Sequence, residues 1–278
     1  MLAVKFATQI RRIGAGTHAR NFLPVFVAAI VAISPSLASY GSPKPSKAKS
    51  AGAYDKPIKK VTAHFLTTQP PGYPKIPSTV SCYYYPDLLI KQYYQQGDCG
   101  GGVSFLRSRG KLPACKPSHE PGEQFMGVID GPDEGSDDFD GVKGNLVFVD
   151  FCENEQGAVP FAVYDSTTGK KLFKDSTTSP HLQVFSTKAG VLIQYVRAIN
   201  AGCDLYAPDE KKACWEKVKA KLGLKSNQMP VCTNYPATLK FFNIKTDVAM
   251  FAYPVEVTLS PHPVIKPVAG PSKCWPTY

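Results

Sequence analysis

LVFVDFCENEQGAVPFAVYDSTTGKKLF, residues 146–173, decides what kind of fold this chain adopts. LVFVDF (146–151) is a continuous apolar run, short enough to be a strand covered on both faces. PFAVYDSTTGKKLF (160–173) alternates as a hairpin arm does, with Phe161 and Val163 on one face and Ala162 and Tyr164 on the other. Its turn is DSTTG, where Gly169 is free to take positive φ. LQVFSTKAGVLIQYVRAI (182–199) repeats the plan around TKAG. TLKFFNIKTDVAMFAYPVEVTL (238–259) reads as two more strands around Lys245-Thr246, with Pro254 placing its stretch at a sheet edge or a bulge. QFMGVI (124–129) and VTAHFL (61–66) are weaker strands, which makes about eight. A β-propeller would repeat such a hairpin every 40 to 50 residues or so. Here it occurs once, which excludes that architecture.

Two stretches read as helices. PDEKKACWEKVKAKLGL (208–224) opens on Pro208, Asp209 and Glu210, ends in lysines and offers Gly223 as a C-terminal cap. Trp215, Val218 and Leu222 form its apolar stripe, and the Trp reads as a core anchor. PDLLIKQYYQQG (86–97) is the second, again closed by Gly. The expected fold is therefore mainly β, an antiparallel sandwich-like arrangement or a partly closed barrel, with two helical insertions and disulfide stabilisation. The Pro-rich end, from Ser260 onward, would fray as polyproline-like chain unless Cys274 pins it.

The formal net charge of +10 is unevenly placed. Residues 1–60 carry ten Lys or Arg and one acid, Asp55, so the chain from Val61 onward is nearly neutral. A nucleic-acid binder carries its basic face on the folded part, so that class is excluded. Lys5, Arg11, Arg12 and Arg20 precede the apolar run Phe22 to Ile33, and Ser36-Leu37-Ala38 follows with small residues. This is the layout of a secretory signal peptide over 1–38, cleaved near Ala38. The run falls short of the 20 or so residues a membrane span needs, so no transmembrane segment is expected in the mature chain. Residues 39–60, rich in Pro, Ser, Ala, Gly and Lys, read as a disordered basic linker. Residues 61–278 then form a single β-rich domain. Its eight cysteines are Cys82, Cys99, Cys115, Cys152, Cys203, Cys214, Cys232 and Cys274. With no CxxC and no zinc-type Cys/His spacing, they read as up to four disulfides formed in an oxidising compartment, periplasmic or secreted. Sequence leaves their pairing open.

The stretch 141–176, with its strand, acidic loop and PFAVYD…TGKKLF hairpin, resembles a family of uncharacterised exported proteins of Gram-negative bacteria. The spacing from Cys203 to Cys214-Trp215 and on to Cys232 is similar too. The resemblance covers about half the mature chain. It implies export and a β-rich fold, and it brings no activity or catalytic residues with it.

Chemistry is sparse. GVSFL (102–106) lacks the second Gly of a nucleophile elbow, and Gly100 to Gly102 beside Cys99 read as a tight connection. His64, His119, His181 and His262 show no i, i+3 or i, i+4 pairing. Glu153 and Glu155, near Asp150, are paired carboxylates that could perform glycoside hydrolysis, but a solvated loop is the better reading of CENEQG. DGPDEGSDDFDG (130–141) concentrates six acids: Asp130, Asp133, Glu134, Asp137, Asp138 and Asp140. Taking Gly141 as EF-hand position 6 leaves Val147 where a Glu is required, so it is not an EF-hand. Three readings stay open: a solvated loop, a looser calcium site using Asp130, Asp133, Asp137, Asp138 and Asp140, or docking against lysines at 170–174 or 211–225. Calcium is the one ion the chain is read as holding, and no other cofactor motif appears. Tyr83-Tyr84-Tyr85 and Tyr93-Tyr94 are aromatic candidates for glycan or protein contact. The expectation is an exported, non-enzymatic binding or scaffolding module of the bacterial envelope, with an envelope protein or glycan as partner. The alternative is a carboxylate-dependent glycoside hydrolase acting on an extracellular polysaccharide.

Overall fold

The computed structural model describes residues 54–67, 74–97, 101–127, 137–151, 157–179, 181–206, 209–225, 228–232, 249–259 and 262–276. These hold two antiparallel-dominated sheets, not closed into a barrel, and one helix. The smaller sheet runs in chain order: β1 (Lys59–Thr67), β2 (Ile76–Tyr84), β3 (Leu88–Gln95), β4 (Val103–Arg107) and β5 (Gln124–Met126). The larger contains β6 (Asp137–Lys143), β7 (Leu146–Phe151), β8 (Val159–Asp165), β9 (Lys170–Thr177), β10 (Gln183–Thr187) and β11 (Gly190–Asn200). β12 (Val231–Cys232), β13 (Ala249–Thr258), β14 (Val264–Pro267) and β15 (Lys273–Pro276) complete it.

The stretch that announces the fold sits at its centre. All six residues of β7 are buried. Val147, Val149 and Phe151 join Ile90, Phe105 and their neighbours in a core between the sheets. Leu146 and Phe148 belong to a second core on the other face of the large sheet. The β8–β9 hairpin splits likewise, Ala162 and Tyr164 facing the small sheet and Phe161 and Val163 facing away. Gly169 closes its turn at φ 72°, donating its N–H to the Asp165 carbonyl at 2.8 Å. α1 (Lys211–Leu222) roofs the second core through Cys214, Trp215 and Val218, with the Trp215 ring 5.6 Å from Phe251. Its cap, Gly223, has φ 65°.

Four expectations change. Within residues 86–97, Leu88–Gln95 form strand β3, not a helix. Leu88 and Ile90 face the inter-sheet core while Leu89 faces outward under a covering loop, so the apolar run follows burial on both faces and not helical period. Pro254 lies inside β13, which has neighbours on both sides. It is tolerated because its nitrogen faces the break between β14, which pairs with Val255–Thr258, and β15, which pairs with Ala249–Ala252. The Pro254 carbonyl, pointing the same way, accepts the N–H of Val268 at 3.1 Å. Residues 54–60 of the expected linker are ordered: Asp55 donates its N–H to the Val142 carbonyl at 2.7 Å, and Lys59 opens β1. Finally, Asp137 to Asp140 lie in strand β6 and not in a loop.

Three disulfides close within the described residues: Cys82–Cys115, Cys203–Cys214 and Cys232–Cys274. The last pins the Pro-rich end, as β15, beside β12. Cys99 and Cys152 lie outside the described residues, as do the expected signal peptide and the strand before Lys245. Among the described residues no helix is long and apolar enough to cross a membrane. The disulfides are compatible with a compartment outside the cytoplasm.

Candidate functional site

The outer face of the small sheet carries an aromatic cleft built over a buried ion pair. Strand pairing sets Cys82, Lys91, Ser104 and Phe125 in one row across β2 to β5, because Cys82 faces Lys91, Lys91 faces Ser104, and Ser104 faces Phe125. Val80 and Tyr93 form the next row, and Phe65 and Ser78 the one beyond. The connection from β4 to β5 folds back over this face. The Cys82–Cys115 disulfide holds it, together with the Tyr84 hydroxyl, which donates to the Pro113 carbonyl at 3.0 Å.

That cover makes Lys91 a buried cation. Its Nζ reaches Glu123 Oε2 at 2.7 Å and the Ser118 carbonyl at 2.8 Å, and both side chains are only 1 % exposed. Glu123 Oε2 also accepts the N–H of Glu120 at 2.8 Å, while its Oε1 accepts the hydroxyls of Tyr93, at 3.0 Å, and Ser104. Burial pushes the Glu123 carboxyl up, but the bonds from Lys91, Ser104 and Glu120 outweigh it and hold the group below its ordinary range. Burial, with the Glu123 charge beside it, pushes the Tyr93 hydroxyl up, so it stays a neutral donor.

In front of this anchor stand the rings. His119 meets Phe125 edge-on at 4.6 Å, and Tyr93 lies 5.7 Å from His119 and 6.4 Å from Phe125. Phe125 is 53 % exposed and Tyr94 46 %, unusual for rings that an apolar core could have taken. They border a cleft of about 420 Å³ that also contains Phe65, Gln95 and Gly101. A second cleft of about 380 Å³, with His64, Leu66 and Gln96, adjoins it through Phe65, Ser78 and Tyr94. Both volumes fall within the usual range for small-molecule sites, about 300–1,000 Å³. Gly101 earns its place sterically: a Cβ there would overlap the Tyr93 carbonyl, and the next residue, Gly102, accepts the Tyr93 N–H at 2.9 Å. The glycine run is thus a close approach of backbone to backbone.

The acidic stretch forms a different structure. Asp138 faces Asp150 across β6 and β7, and Asp140 occupies a bulge between Phe139 and Gly141. Gln92 donates to Asp138 at 2.5 Å. Burial first, then the charges of Asp150 and Asp138, push Asp140 up to about 8. Burial, then Asp138 and Asp137, push Asp150 up to about 7. Tyr54 lies against this pair with its ring 5.3 Å from Phe148, in space that a side chain at Gly141 would fill. Its hydroxyl, raised by burial and by both aspartates, and Asp140 Oδ2 are buried without a hydrogen-bond partner among the described residues. Asp140 and Asp150 line neither of the two clefts.

Asp130, Asp133, Glu134, Glu153 and Glu155 lie outside the described residues. Among the described residues no group of three or more His, Cys, Asp or Glu side chains is placed to hold a metal ion. Of the tyrosine pairs, Tyr85 is buried between the sheets and Tyr83 packs on Phe139 at 4.8 Å, whereas Tyr93 and Tyr94 reach the cleft. Sequence reasoning missed Lys91, Glu123 and Phe125. One signal was present: a lysine inside LLIKQYY, an apolar run that demands a carboxylate partner once buried. No family model, curated protein or solved structure matches this chain.

Proposed function

We propose that the protein is an exported, non-enzymatic binding module of the bacterial envelope, and that it binds through the aromatic cleft on its small sheet. One observation carries the reading: exposed rings of Phe125 and Tyr94, together with His119, border a concave site whose back is fixed by a buried, hydrogen-bonded ion pair. Rigid support behind exposed aromatic rings lowers the ordering cost of binding. Glu123, the carboxylate behind the cleft, is committed to Lys91, Ser104, Tyr93 and Glu120.

The hydrolase reading keeps one observation in its favour, the raised carboxyls of Asp140 and Asp150. Cosedimentation of the purified chain with insoluble envelope and plant polysaccharides, followed by a reducing-end assay, separates the two. The binding reading expects retention that Phe125→Ala weakens, with no release of reducing ends. Release of reducing ends that Asp150→Asn abolishes would replace it with the hydrolase.

A further inference from the structure

The two adjoining clefts define a ligand class by what lines them. Among the described residues, neither has a Lys, Arg, Asp or Glu side chain in its walls. Behind the rings, Lys91 and Glu123 neutralise each other and are sealed from solvent. Among the described lining residues an anionic ligand would find no cation, and a cationic one no carboxylate. A purely apolar ligand would strand the polar groups that share the lining: the amides of Gln95 and Gln96 and the His119 ring.

The polar groups also have a character of their own. Tyr93 and Ser78 are already spent, Tyr93 on Glu123 and Ser78 on Thr67 and the Ile76 carbonyl. The groups left to a ligand include the side-chain amides of Gln95 and Gln96, which both donate and accept. His119 turns Nδ1 to the Tyr93 hydroxyl at 3.4 Å, leaving its other ring nitrogen without a partner among the described residues. Such groups match hydroxyls, which donate and accept in turn, better than the acceptor-only prolines of a proline-rich peptide. The rings of Phe125, Tyr94 and Phe65 ask for a flat apolar face. A ligand that is uncharged, edged with hydroxyls and apolar on its faces is a sugar ring. Because two clefts share Phe65, Ser78 and Tyr94, the run suits more than one ring.

We infer that the cleft takes a neutral oligosaccharide, stacked on Phe125 and Tyr94 and hydrogen-bonded at its edges by Gln95, Gln96 and His119. This deepens the proposed function and rests on the cleft being the binding site.

The test is an amide-resolved NMR titration of the purified chain with uncharged α- and β-linked gluco-oligosaccharides. Choline and a proline-rich peptide are titrated in parallel. The inference expects saturable shifts from the oligosaccharide confined to residues 64–67, 77–79, 93–96 and 117–125. Phe125→Ala should weaken the affinity about tenfold, the effect of losing one ring stack. Phe125 is more than half exposed, so this variant keeps its fold. Tyr54→Phe, on the large sheet, should leave the titration unchanged. Shifts in the cleft from choline or the peptide, with none from the oligosaccharide, would overturn the ligand class while leaving the binding module standing. Oligosaccharide shifts elsewhere on the surface would overturn the inference. Silence from all three probes would overturn both it and the binding reading.

Discussion

Glu123, at the head of β5, and Asp140, in the bulge of β6, are both largely hidden from water, and they answer that burial in opposite ways. Glu123 is held below its ordinary range by a lysine, a serine and a backbone N–H. Asp140 is driven up to about 8 by burial first, and then by its neighbours Asp150 and Asp138. Burial costs each carboxylate its hydration. What decides the outcome is whether the strand opposite supplies a donor or another acid. Lys91 and Ser104 arrive on adjacent strands in one row. Across β6 and β7 the same kind of row delivers Asp138 against Asp150. The first arrangement is rigid and ionised, and a ligand cleft can be built on it. The second is a place where folding depends on pH.

The comparison breaks most sharply at Lys91. Lys91→Met would leave Glu123 buried without its cation, turning the first site into a likeness of the second. The expected loss is about 3–5 kcal/mol in urea unfolding. Lys91→Met combined with Glu123→Leu should recover much of it, since no buried charge then remains. If the single variant unfolds no more easily than the parent, the ion pair is not desolvated as described.

Removing the staple tests the cover that buries this pair. Cys82 and Cys115 are 33 residues apart, a loop whose closure contributes about 3–4 kcal/mol in the chain-entropy account. Replacing both with Ser should lower the unfolding temperature by roughly 5–10 °C. It should also speed amide exchange across 108–123 more than in the large sheet.

The smallest effect belongs to Asp140, and its sign depends on pH. Asp140 and Asp150 are raised in the folded state above the unfolded carboxylate value of about 3.9, so the folded chain retains protons that the unfolded chain releases. Their favourable contribution is complete below pH ~4 and is lost as pH rises through about 7 and about 8. Asp140→Asn should therefore stabilise the protein at pH 9, by on the order of 1–2 kcal/mol for groups that are not fully sealed, and change little at pH 4. A variant that stabilises equally at both pH values would sharpen the comparison differently, by assigning the strain to packing around Tyr54 instead of charge.

Much of this architecture could be read from residues close together in the chain. The β7–β9 region, the TKAG hairpin and α1 with its Trp215 stripe each carry their own period and their own turn or cap. β3 was illegible because Leu88, Leu89 and Ile90 are buried on both faces, which removes the alternation that marks a strand. The candidate site was harder still. Lys91 and Glu123 are 32 residues apart, and Tyr93, His119 and Phe125 come together only after a 16-residue connection folds across the sheet. Local spacing contains no record of that return. The acidic stretch misled in the other direction. Its density suggested a loop or a metal site, whereas Asp137 and Asp138 are placed by strand pairing with β7 and Asp140 by the bulge that follows.

The most direct measurement is a carbon-detected NMR pH titration of the side-chain carboxyls in the purified chain. The account predicts that Glu123 titrates below the ordinary glutamate range, while Asp140 and Asp150 titrate together with midpoints near 8 and 7. Ordinary midpoints for the aspartates, or a Glu123 that protonates near neutrality, would contradict it.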